Sequence, residues 1–467
     1  MINKDINDYI DAHFDEMVEK LKALIEIDSK TSDKKGDMPF GENVQRALLY
    51  AEDLLNGYGF KTTNYDNYVL TADINDKKYG LDILAHLDVV VEGEGWTVCE
   101  PFKPVIRDNK IYGRGTADDK GPAIAAIFAM RAVKELGYEL KEGVRLILGT
   151  DEECGSSDLD YYYSKEKAAK MSFTPDAEFP VVNTEKGRLS SEFTGKFKTG
   201  NDGINVLSIH SGSKSNVVPG KAYAVLSGVS VKELETTVNG LIDDNNIKLS
   251  VTKDNDNVRL HIDGRGGHAA FPENSNNALT ALITILSKID LSDSEANNLI
   301  KNLAKLFPYG DYYGKNIGVA MKDEISGALT LSFNMLTFEN GDFSGVFDCR
   351  AALCANDENL TNVIRKNLAN IGLDMKEEKM DPPHHVPADS FFVSTLLEVY
   401  EDYFNKKGVP HSTGGGTYVH YVDNGVAFGC EVEGVDNHMH GADEFMDLAV
   451  LKMSAKMFAD AIIRLCA

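Results

Sequence analysis

The chain has 467 residues, of which 43% are hydrophobic, and a formal net charge of −25. This length predicts two or more domains, each with enough apolar residues for a core of its own. Binding to nucleic acid or to an anionic membrane surface requires a basic face, so the strong acidity argues against both kinds of partner.

The six cysteines are scattered and form no C-x-x-C pair, which indicates reduced residues of a protein core rather than a disulfide scaffold. The first residues, MINKDINDYIDAHF, are polar and acidic, unlike a signal peptide. The sequence contains no stretch of about 18 apolar residues, so no membrane span is predicted. We therefore expect a cytoplasmic protein.

Helices and strands alternate in the first third of the chain. Apolar positions at helical spacing predict an amphipathic helix over 4–28 and a second helix over 41–56. A turn at 75–76 predicts a hairpin that leads into a central strand ending in LAHLD. A helix over 123–136 and a short apolar strand over 144–149 follow. Strands that end in acidic residues are typical of an open α/β sheet with its site at the strand ends.

The character of the sequence changes at about residue 186. Strands of alternating polarity, as in half-exposed antiparallel sheets, are interspersed with helices predicted over 229–242, 276–289 and 359–373. This middle region is therefore predicted to be a separate α+β domain.

The α/β pattern returns near the C-terminus, with helices predicted over 389–405 and from Leu448. We therefore predict that residues 1–185 and 381–467 form one α/β domain. The α+β domain over 186–380 is inserted into it.

Five histidine and carboxylate residues could together bind a pair of divalent metal ions: His86, Asp118, Glu153, Asp176 and His440. A two-metal hydrolase needs about four terminal ligands and one bridging carboxylate, and this count fits. Mixed histidine and carboxylate ligands suit zinc, manganese or cobalt better than calcium. The sequence therefore predicts two divalent metal ions, zinc first, with manganese and cobalt as alternatives.

Two further carboxylates are predicted to serve this site without binding metal. Asp88 lies two residues after His86 and would share its face of the strand, where it could orient the imidazole ring. Glu152 directly precedes Glu153, so the two side chains point differently, and Glu152 could act as the general base.

Other histidines and glycines allow competing interpretations. His438 lies two residues before His440 and could replace it as a ligand. His384 and His385 are interpreted as loop residues near a domain boundary. The glycines at 414–416 lack the P-loop spacing and favour a close approach of the backbone to a ligand.

Longer motifs resemble those of a known family: HLDVV-x-EG-x-GW at 86–96, GRGTADDKGP at 113–122, GTDEE at 149–153, PDAEFP at 175–180 and MH-x-x-DE at 439–444. Together they resemble the co-catalytic zinc peptidase and aminoacylase superfamily. That superfamily includes acetylornithine deacetylase, succinyl-diaminopimelate desuccinylase and the carnosinase-like dipeptidases. The chain is most similar to the carnosinase-like dipeptidases, over essentially its whole length.

The resemblance implies a zinc-peptidase-like catalytic domain with a central mixed sheet, interrupted by an α+β lid domain of two lobes. It also implies that His86 and Asp176 hold one metal ion and that Glu153 and His440 hold the other. Asp118 would bridge the two ions.

In the predicted lid, the resemblance assigns residues that contact the substrate. Asn216, in SKSNVVPGKA, corresponds to an asparagine that touches the substrate, and His268, in GRGGHAAFPENSNNA, to a histidine that stabilises the oxyanion. Arg350 would bind the substrate's C-terminal carboxylate, with Gly415 in the floor of that pocket. The two alanines that follow Arg350 depart from the Tyr-Pro of the family pattern.

The sequence therefore predicts metal-dependent hydrolysis of unblocked dipeptides, small peptides being the expected partners, with Glu152 as the base. Two alternatives stay open: a deacylase of N-acylated amino acids in the same superfamily, and a non-catalytic metal-binding protein on that scaffold. Two lid lobes could place His268 over the metal ions of its own chain, so we expect a monomer.

Overall fold

The computed structural model of the protein describes residues 2–467. The chain divides into two compact units. Unit 1 consists of Met1–Thr184, His385–His411 and Gly416–Ala467, and unit 2 of Glu185–His384 and Ser412–Gly415. The assignment of a catalytic domain and a lid domain stays a prediction.

The described residues form eleven α-helices and twenty-six strands. The helices are α1 Lys4–Ala12, α2 Phe14–Ile25, α3 Glu42–Gly57, α4 Lys120–Glu135, α5 Ser157–Tyr163, α6 Val231–Val238, α7 Ala278–Lys288, α8 Glu295–Leu306, α9 Thr361–Ala369, α10 Phe391–Phe404 and α11 Leu448–Cys466. The strands before residue 200 are β1 Lys61–Tyr65, β2 Val69–Asp73, β3 Tyr79–His86, β4 Val105–Arg107, β5 Lys110–Tyr112, β6 Gly143–Gly149, β7 Met171–Thr174, β8 Ala177–Glu178, β9 Val182–Glu185 and β10 Gly187–Lys196. The later strands are β11 Asn205–Ser211, β12 Val217–Val218, β13 Lys221–Ser227, β14 Lys248–Asp254, β15 Asn257–Asp263, β16 Gly267–His268, β17 Lys322–Asp323, β18 Gly327–Ala328, β19 Thr330–Glu339, β20 Asp342–Ala351, β21 Asp374–Met375, β22 His384–His385, β23 His411–Thr413, β24 Gly425–Ala427, β25 Cys430–Glu431 and β26 Phe445–Asp447.

A nine-stranded mixed sheet, most of which belongs to unit 1, has the order β1-β2-β6-β3-β7-β24-β9-β22, with β23 beside β9. Strand β3 lies between β6 and β7 and is parallel to both, and β24 is parallel to β7. Every residue of β6 is buried, and so is every residue of β3 after its first. Fully buried parallel strands explain why these segments are largely apolar without alternation. The predicted α/β fold with a mixed sheet is confirmed.

Two local predictions for unit 1 are wrong. The segment 4–28 forms two helices, because His13 has non-helical dihedral angles (φ −106°, ψ 8°) and its carbonyl accepts the first hydrogen bond of α2. The predicted hairpin at 75–76 does not form, since β2 pairs with β6 instead of β3. The hairpin is β1–β2, which turns through Asp66 and Asn67 at positive φ.

Helix α4 packs against β3, α2 and α11, and its small residues are buried over most of its length. At Gly121 an added Cβ would lie 2.1 Å from the carbonyl oxygen of Thr116. Only glycine therefore allows the preceding loop to lie this close to the start of α4. That loop carries Asp118.

Unit 2 contains one eight-stranded sheet in the order β14-β15-β13-β11-β19-β20-β10-β21, whose neighbouring strands are all antiparallel. Helix α7 covers β13, β15 and β19. The described strands of the predicted lid thus belong mostly to one continuous sheet, and its division into two lobes stays a prediction. The segment containing His384 and His385, expected to be a loop, includes the two-residue strand β22.

All six cysteines are free. Cys349, Cys430 and Cys466 are buried, but Cys154 and Cys354 are exposed, so the prediction of core positions is wrong for these two. Among the described residues, no helix has both the length and the apolar character needed to span a membrane.

Candidate metal centre

Three parallel strands of unit 1 deliver three of the predicted metal ligands to one edge of the sheet. His86 is the last residue of β3. Strand β6 is followed by the 3₁₀ turn Glu152–Cys154, which contains Glu153, and β7 is followed closely by Asp176. The carboxyl ends of neighbouring parallel strands lie at the same edge, so this topology gathers the three side chains.

The other two predicted ligands, Asp118 and His440, lie in loops. Asp118 belongs to both groups of ligands that the structure forms. His86, Asp118 and Asp176 form one triad, and Asp118, Glu153 and His440 form a second; within each triad the ligand atoms lie within 4.8 Å of one another. Asp118 Oδ1 lies 2.9 Å from His86 Nε2, and Asp118 Oδ2 lies 2.8 Å from His440 Nε2. Each oxygen of Asp118 therefore faces one triad, as a bridging carboxylate requires.

The chemistry of the donor set fits two divalent ions. Each triad has one imidazole, one carboxylate of its own and the shared carboxylate of Asp118. Mixed nitrogen and oxygen donors of this kind bind zinc and related transition metals. His438, the competing ligand, instead has its ring near Phe445, at 6.0 Å between ring centroids.

Asp88 supports both sides of this centre. Its backbone carbonyl lies 3.0 Å from His86 Nδ1, while its carboxylate lies slightly farther from that atom, at 3.4 Å. The same carboxylate accepts hydrogen bonds from the backbone N–H groups of Glu152 and Glu153, at 3.2 and 3.1 Å. Asp88 therefore fixes the 3₁₀ turn as well as the imidazole ring, which the sequence did not indicate.

Crowded carboxylates make the centre electrostatically strained without a cation. Burial, together with the charge of Asp118, raises the pKa of Glu153 to about 7 and that of Asp176 to about 6. Burial also raises the pKa of Glu152 well above its usual range, and the negative charges of Asp176 and Glu153 add to this effect. Burial disfavours the charged form of His440, but hydrogen bonds to Asp118 and Glu153 outweigh it and raise its pKa to about 11. A divalent cation would relieve this repulsion.

Three carboxylates near the centre were not singled out from the sequence: Asp119, Glu431 and Glu444. Asp119 is fully buried, and its Oδ2 accepts a hydrogen bond from the backbone N–H of His86 at 2.9 Å. Asp119 and Glu444 stand inside the quoted motifs, which is the only signal that could have identified them. Glu431 has no such signal.

Glu431 is a carboxylate that forms no direct ion pair with a described residue, although the charge of His440 partly stabilises its ionised form. It lies in β25, directly opposite Glu178 of the parallel strand β8. Burial and the charges of Asp176 and Glu178 raise the pKa of Glu431 to about 8. Among residues 2–467, no group donates a hydrogen bond to its carboxylate.

The residues predicted to contact substrate all lie in unit 2, and two of them are neighbours. Strands β12 and β16 pair Val217 with His268, and the N–H of Ala269 donates to the carbonyl of Asn216 at 2.9 Å. The N–H of Ala270 donates to His268 Nδ1 at 3.1 Å. The structure thus brings Asn216 and His268 together, and their roles stay predictions.

Arg350 is more constrained than the prediction assumed. Its Nε and Nη2 donate to the two carboxylate oxygens of buried Asp348, at 2.7 and 3.3 Å, and its Nη1 donates to the carbonyl of Gly414 at 2.7 Å. Three of its five N–H groups are therefore engaged, which leaves at most two for a substrate carboxylate. Gly415 follows Gly414 directly, and its N–H donates to Thr413 Oγ1 at 3.1 Å.

Known proteins resemble this chain in sequence and in fold. The chain matches peptidase family M20/M25/M40 over residues 83–464. It is 32% identical over 459 residues to the Beta-Ala-Xaa dipeptidase of Lactobacillus delbrueckii subsp. lactis, covering 97% of each chain. The fold resembles human carnosine dipeptidase 1 (TM-score 0.61, 16% identity, 98% of each chain) and the dipeptidase Dug1p of Saccharomyces cerevisiae (TM-score 0.60, 16% identity, 99% of this chain and 98% of that one). The resemblance drawn from the motifs is confirmed: the chain belongs to peptidase family M20/M25/M40.

Proposed function

We propose that this peptidase hydrolyses dipeptides with a free amino terminus, using two divalent metal ions. The observation that carries this proposal is the pair of triads that share Asp118, with Glu152 in the turn beside them. The named activities of the similar proteins, a Beta-Ala-Xaa dipeptidase and a carnosine dipeptidase, support the substrate class.

His86 and Asp176 would hold one ion, Glu153 and His440 the other, and Asp118 both. Bound there, the ions supply Lewis acidity and lower the pKa of a water molecule from about 15.7 toward 7.

Glu152 would take one proton from a water molecule while the oxygen of that water attacks the peptide carbonyl carbon. As the C–N bond breaks, Glu152 returns the proton to the leaving amine nitrogen. A positioned general base of this kind contributes typically ~10² to 10⁴-fold to the rate. Burial raises the pKa of the Glu152 carboxyl, which strengthens it as a proton acceptor.

Glu431 favours an unblocked dipeptide over an N-acylated amino acid. Its carboxylate is close to the negative charges of Asp176 and Glu178 and forms no direct ion pair with a described residue. A substrate ammonium group would pair with Glu431 and favour its ionised form, whereas a neutral acyl group offers no positive charge that could do so. The environment of Glu431 therefore favours a dipeptidase over a deacylase.

We further propose that the lid residues act on the substrate from unit 2. His268 would stabilise the oxyanion, Asn216 would touch the substrate, and Arg350 with Gly415 would bind its C-terminal carboxylate. The adjacency of Asn216 and His268 supports the first two roles, whereas the engagement of Arg350 by Asp348 weakens the third.

The proposed metal is zinc, with manganese and cobalt as alternatives. We propose that the protein is a monomer and acts in the cytoplasm.

The test is hydrolysis by chelated enzyme restored separately with zinc, manganese and cobalt. The panel contains free dipeptides, the same dipeptides with acetylated amino termini, N-acetyl amino acids and a tripeptide. We expect metal-dependent hydrolysis of the free dipeptides alone. Turnover confined to N-acetyl amino acids would identify a deacylase, and the absence of turnover with every metal would favour a binding protein.

A sedimentation mass near twice 51.3 kDa would contradict the monomer.

A further inference from the structure

The side chain of Glu444 accepts several hydrogen bonds from the loop that carries Asp118. Glu444 is completely buried, and its Oε1 accepts hydrogen bonds from the backbone N–H groups of Ala117 and Asp118, at 2.8 and 3.3 Å. Its Oε2 accepts from the N–H of Gly115 at 3.1 Å, and its own backbone carbonyl accepts from the N–H of Gly113 at 3.0 Å. One residue therefore accepts hydrogen bonds from four backbone N–H groups of a six-residue loop.

Arg114 connects this loop to the segment that carries His440. Its Nη1 lies 2.5 Å from Glu444 Oε2, with both side chains at most 1% exposed. Its Nη2 donates to the carbonyl of Gly441 at 2.9 Å. The Arg114–Glu444 pair is thus linked to the backbone directly beside the ligand His440 and four residues from the ligand Asp118.

We infer that Glu444 is a positioning residue of the metal centre, whose negative charge holds the shared carboxylate of Asp118 in place opposite His440. This inference rests on the proposed metal centre. Because Asp118 belongs to both triads, a displacement of its loop would disturb both metal sites at once.

The charge of Glu444 matters because all its partners are donors. A glutamine at this position could accept from Ala117 and Asp118 through its single oxygen. Its amide nitrogen would then face Arg114 and the N–H of Gly115, two donors that it cannot satisfy. The loop must shift to relieve this conflict, since an unpaired buried guanidinium is costly.

Another buried ion pair of unit 1 offers a matched control for a merely structural role. Asp82 of β3 and Arg145 of β6 form two hydrogen bonds of 2.8 Å, and both side chains are at most 2% exposed. This pair contacts neither Glu444 nor the loop of Asp118. Asp82→Asn should therefore lower stability without a specific effect on metal binding.

The experiment is a titration of the metal-free protein with Co²⁺, followed by visible absorption, in the wild type, Glu444→Gln and Asp82→Asn. Loss of a group that supports a ligand typically costs about 10 to 100-fold in metal affinity. We expect a loss of that size and an altered Co²⁺ spectrum for Glu444→Gln, and wild-type affinity and spectrum for Asp82→Asn. Melting temperatures of the metal-free proteins show how much general stability each variant has lost.

Wild-type affinity in Glu444→Gln, or an equal loss of affinity in Asp82→Asn, would overturn the inference. If the wild-type chain binds no Co²⁺, the proposed metal centre itself fails, so the two failures are distinguishable. If Glu444→Gln does not fold, Glu444→Asp replaces it, because it keeps the charge that Arg114 needs but is one methylene shorter. Its carboxylate cannot reach Arg114 and the N–H groups of Ala117 and Asp118 together, so weaker Co²⁺ binding is again expected, and unchanged affinity would contradict the inference.

Discussion

Glu152 and Glu153 share one 3₁₀ turn but differ in their surroundings. Glu153 Oε1 lies 3.3 Å from His440 Nε2, and Glu153 belongs to one of the two triads, whereas Glu152 belongs to neither triad. The Asp88 carboxylate accepts hydrogen bonds from the backbone N–H groups of both residues, which fixes the backbone of the turn. The adjacent carboxylates are therefore expected to differ in role, with Glu153 as a metal ligand and Glu152 as the proton acceptor.

Glu152→Gln should leave metal binding intact and reduce kcat by about 10² to 10⁴-fold, because it removes only the proton acceptor. Steady-state kinetics on a free dipeptide, together with the metal content of the purified variant, measures both effects. Glu139→Gln, which changes an exposed carboxylate of the same unit, is the control and should match the wild type. Retained turnover in Glu152→Gln would mean that another group acts as the base.

Glu431→Gln tests whether a free ammonium group is recognised. A hydrogen bond to a charged partner contributes about 1.5–3 kcal/mol, so KM for free dipeptides should rise by roughly 10 to 100-fold. Glu178→Gln is the matched control, because Glu178 is exposed and lies 3.5 Å from His411, and it should have a smaller effect. An unchanged KM in Glu431→Gln would place the ammonium group elsewhere.

At the scale of elements, the start of α4 determines where Asp118 lies. An alanine at Gly121 would place its Cβ 2.1 Å from the carbonyl oxygen of Thr116 and 2.9 Å from Met446 Sδ. We expect Gly121→Ala to destabilise the protein by about 1–3 kcal/mol, because the loop or the helix must shift. Urea denaturation of the metal-free protein measures this change.

Gly57→Ala provides the opposite case in another helix of unit 1. An added Cβ at Gly57, the last residue of α3, meets no atom within 4 Å. Alanine also costs less backbone entropy than glycine, so this change should be neutral or stabilise by up to about 1 kcal/mol. Equal destabilisation by both changes would show that the close approach at Gly121 has no special weight.

The sequence was most informative where local pattern and tertiary environment agree. Strands β3 and β6 are buried on both faces, so their apolar runs predict them directly. The break at His13 could not be predicted, because the apolar period continues through it from α1 into α2. The pairing of β2 with β6 instead of β3 depends on residues about 75 positions apart, which no turn signal near β2 reports.

The same contrast applies to the candidate site. The five predicted ligands stand in motifs at the ends of elements, and the structure brings them into two triads. Glu431 and Glu444 gain their importance from burial and from neighbours distant in the chain. For example, Glu444 contacts Ala117 across 327 positions. Such contacts are set by the tertiary fold. The motif that contains Glu444 does not indicate its partners, and Glu431 stands in no motif.

For the whole molecule, the separation into two units predicts that metal binding stabilises only one of them. Each unit has its own hydrophobic core, and all five predicted ligands lie in unit 1. A ligand that binds only the folded state stabilises it by about 2.7 kcal/mol at a free concentration 100 times its Kd. In differential scanning calorimetry we therefore expect two components, of which only one moves to higher temperature when zinc is added to chelated protein. His440→Ala should abolish that shift while leaving the second component unchanged, because it removes one predicted ligand and changes a residue of unit 1. A single transition that moves as a whole would instead mean that the two units unfold together, and two components with no shift would contradict the metal centre.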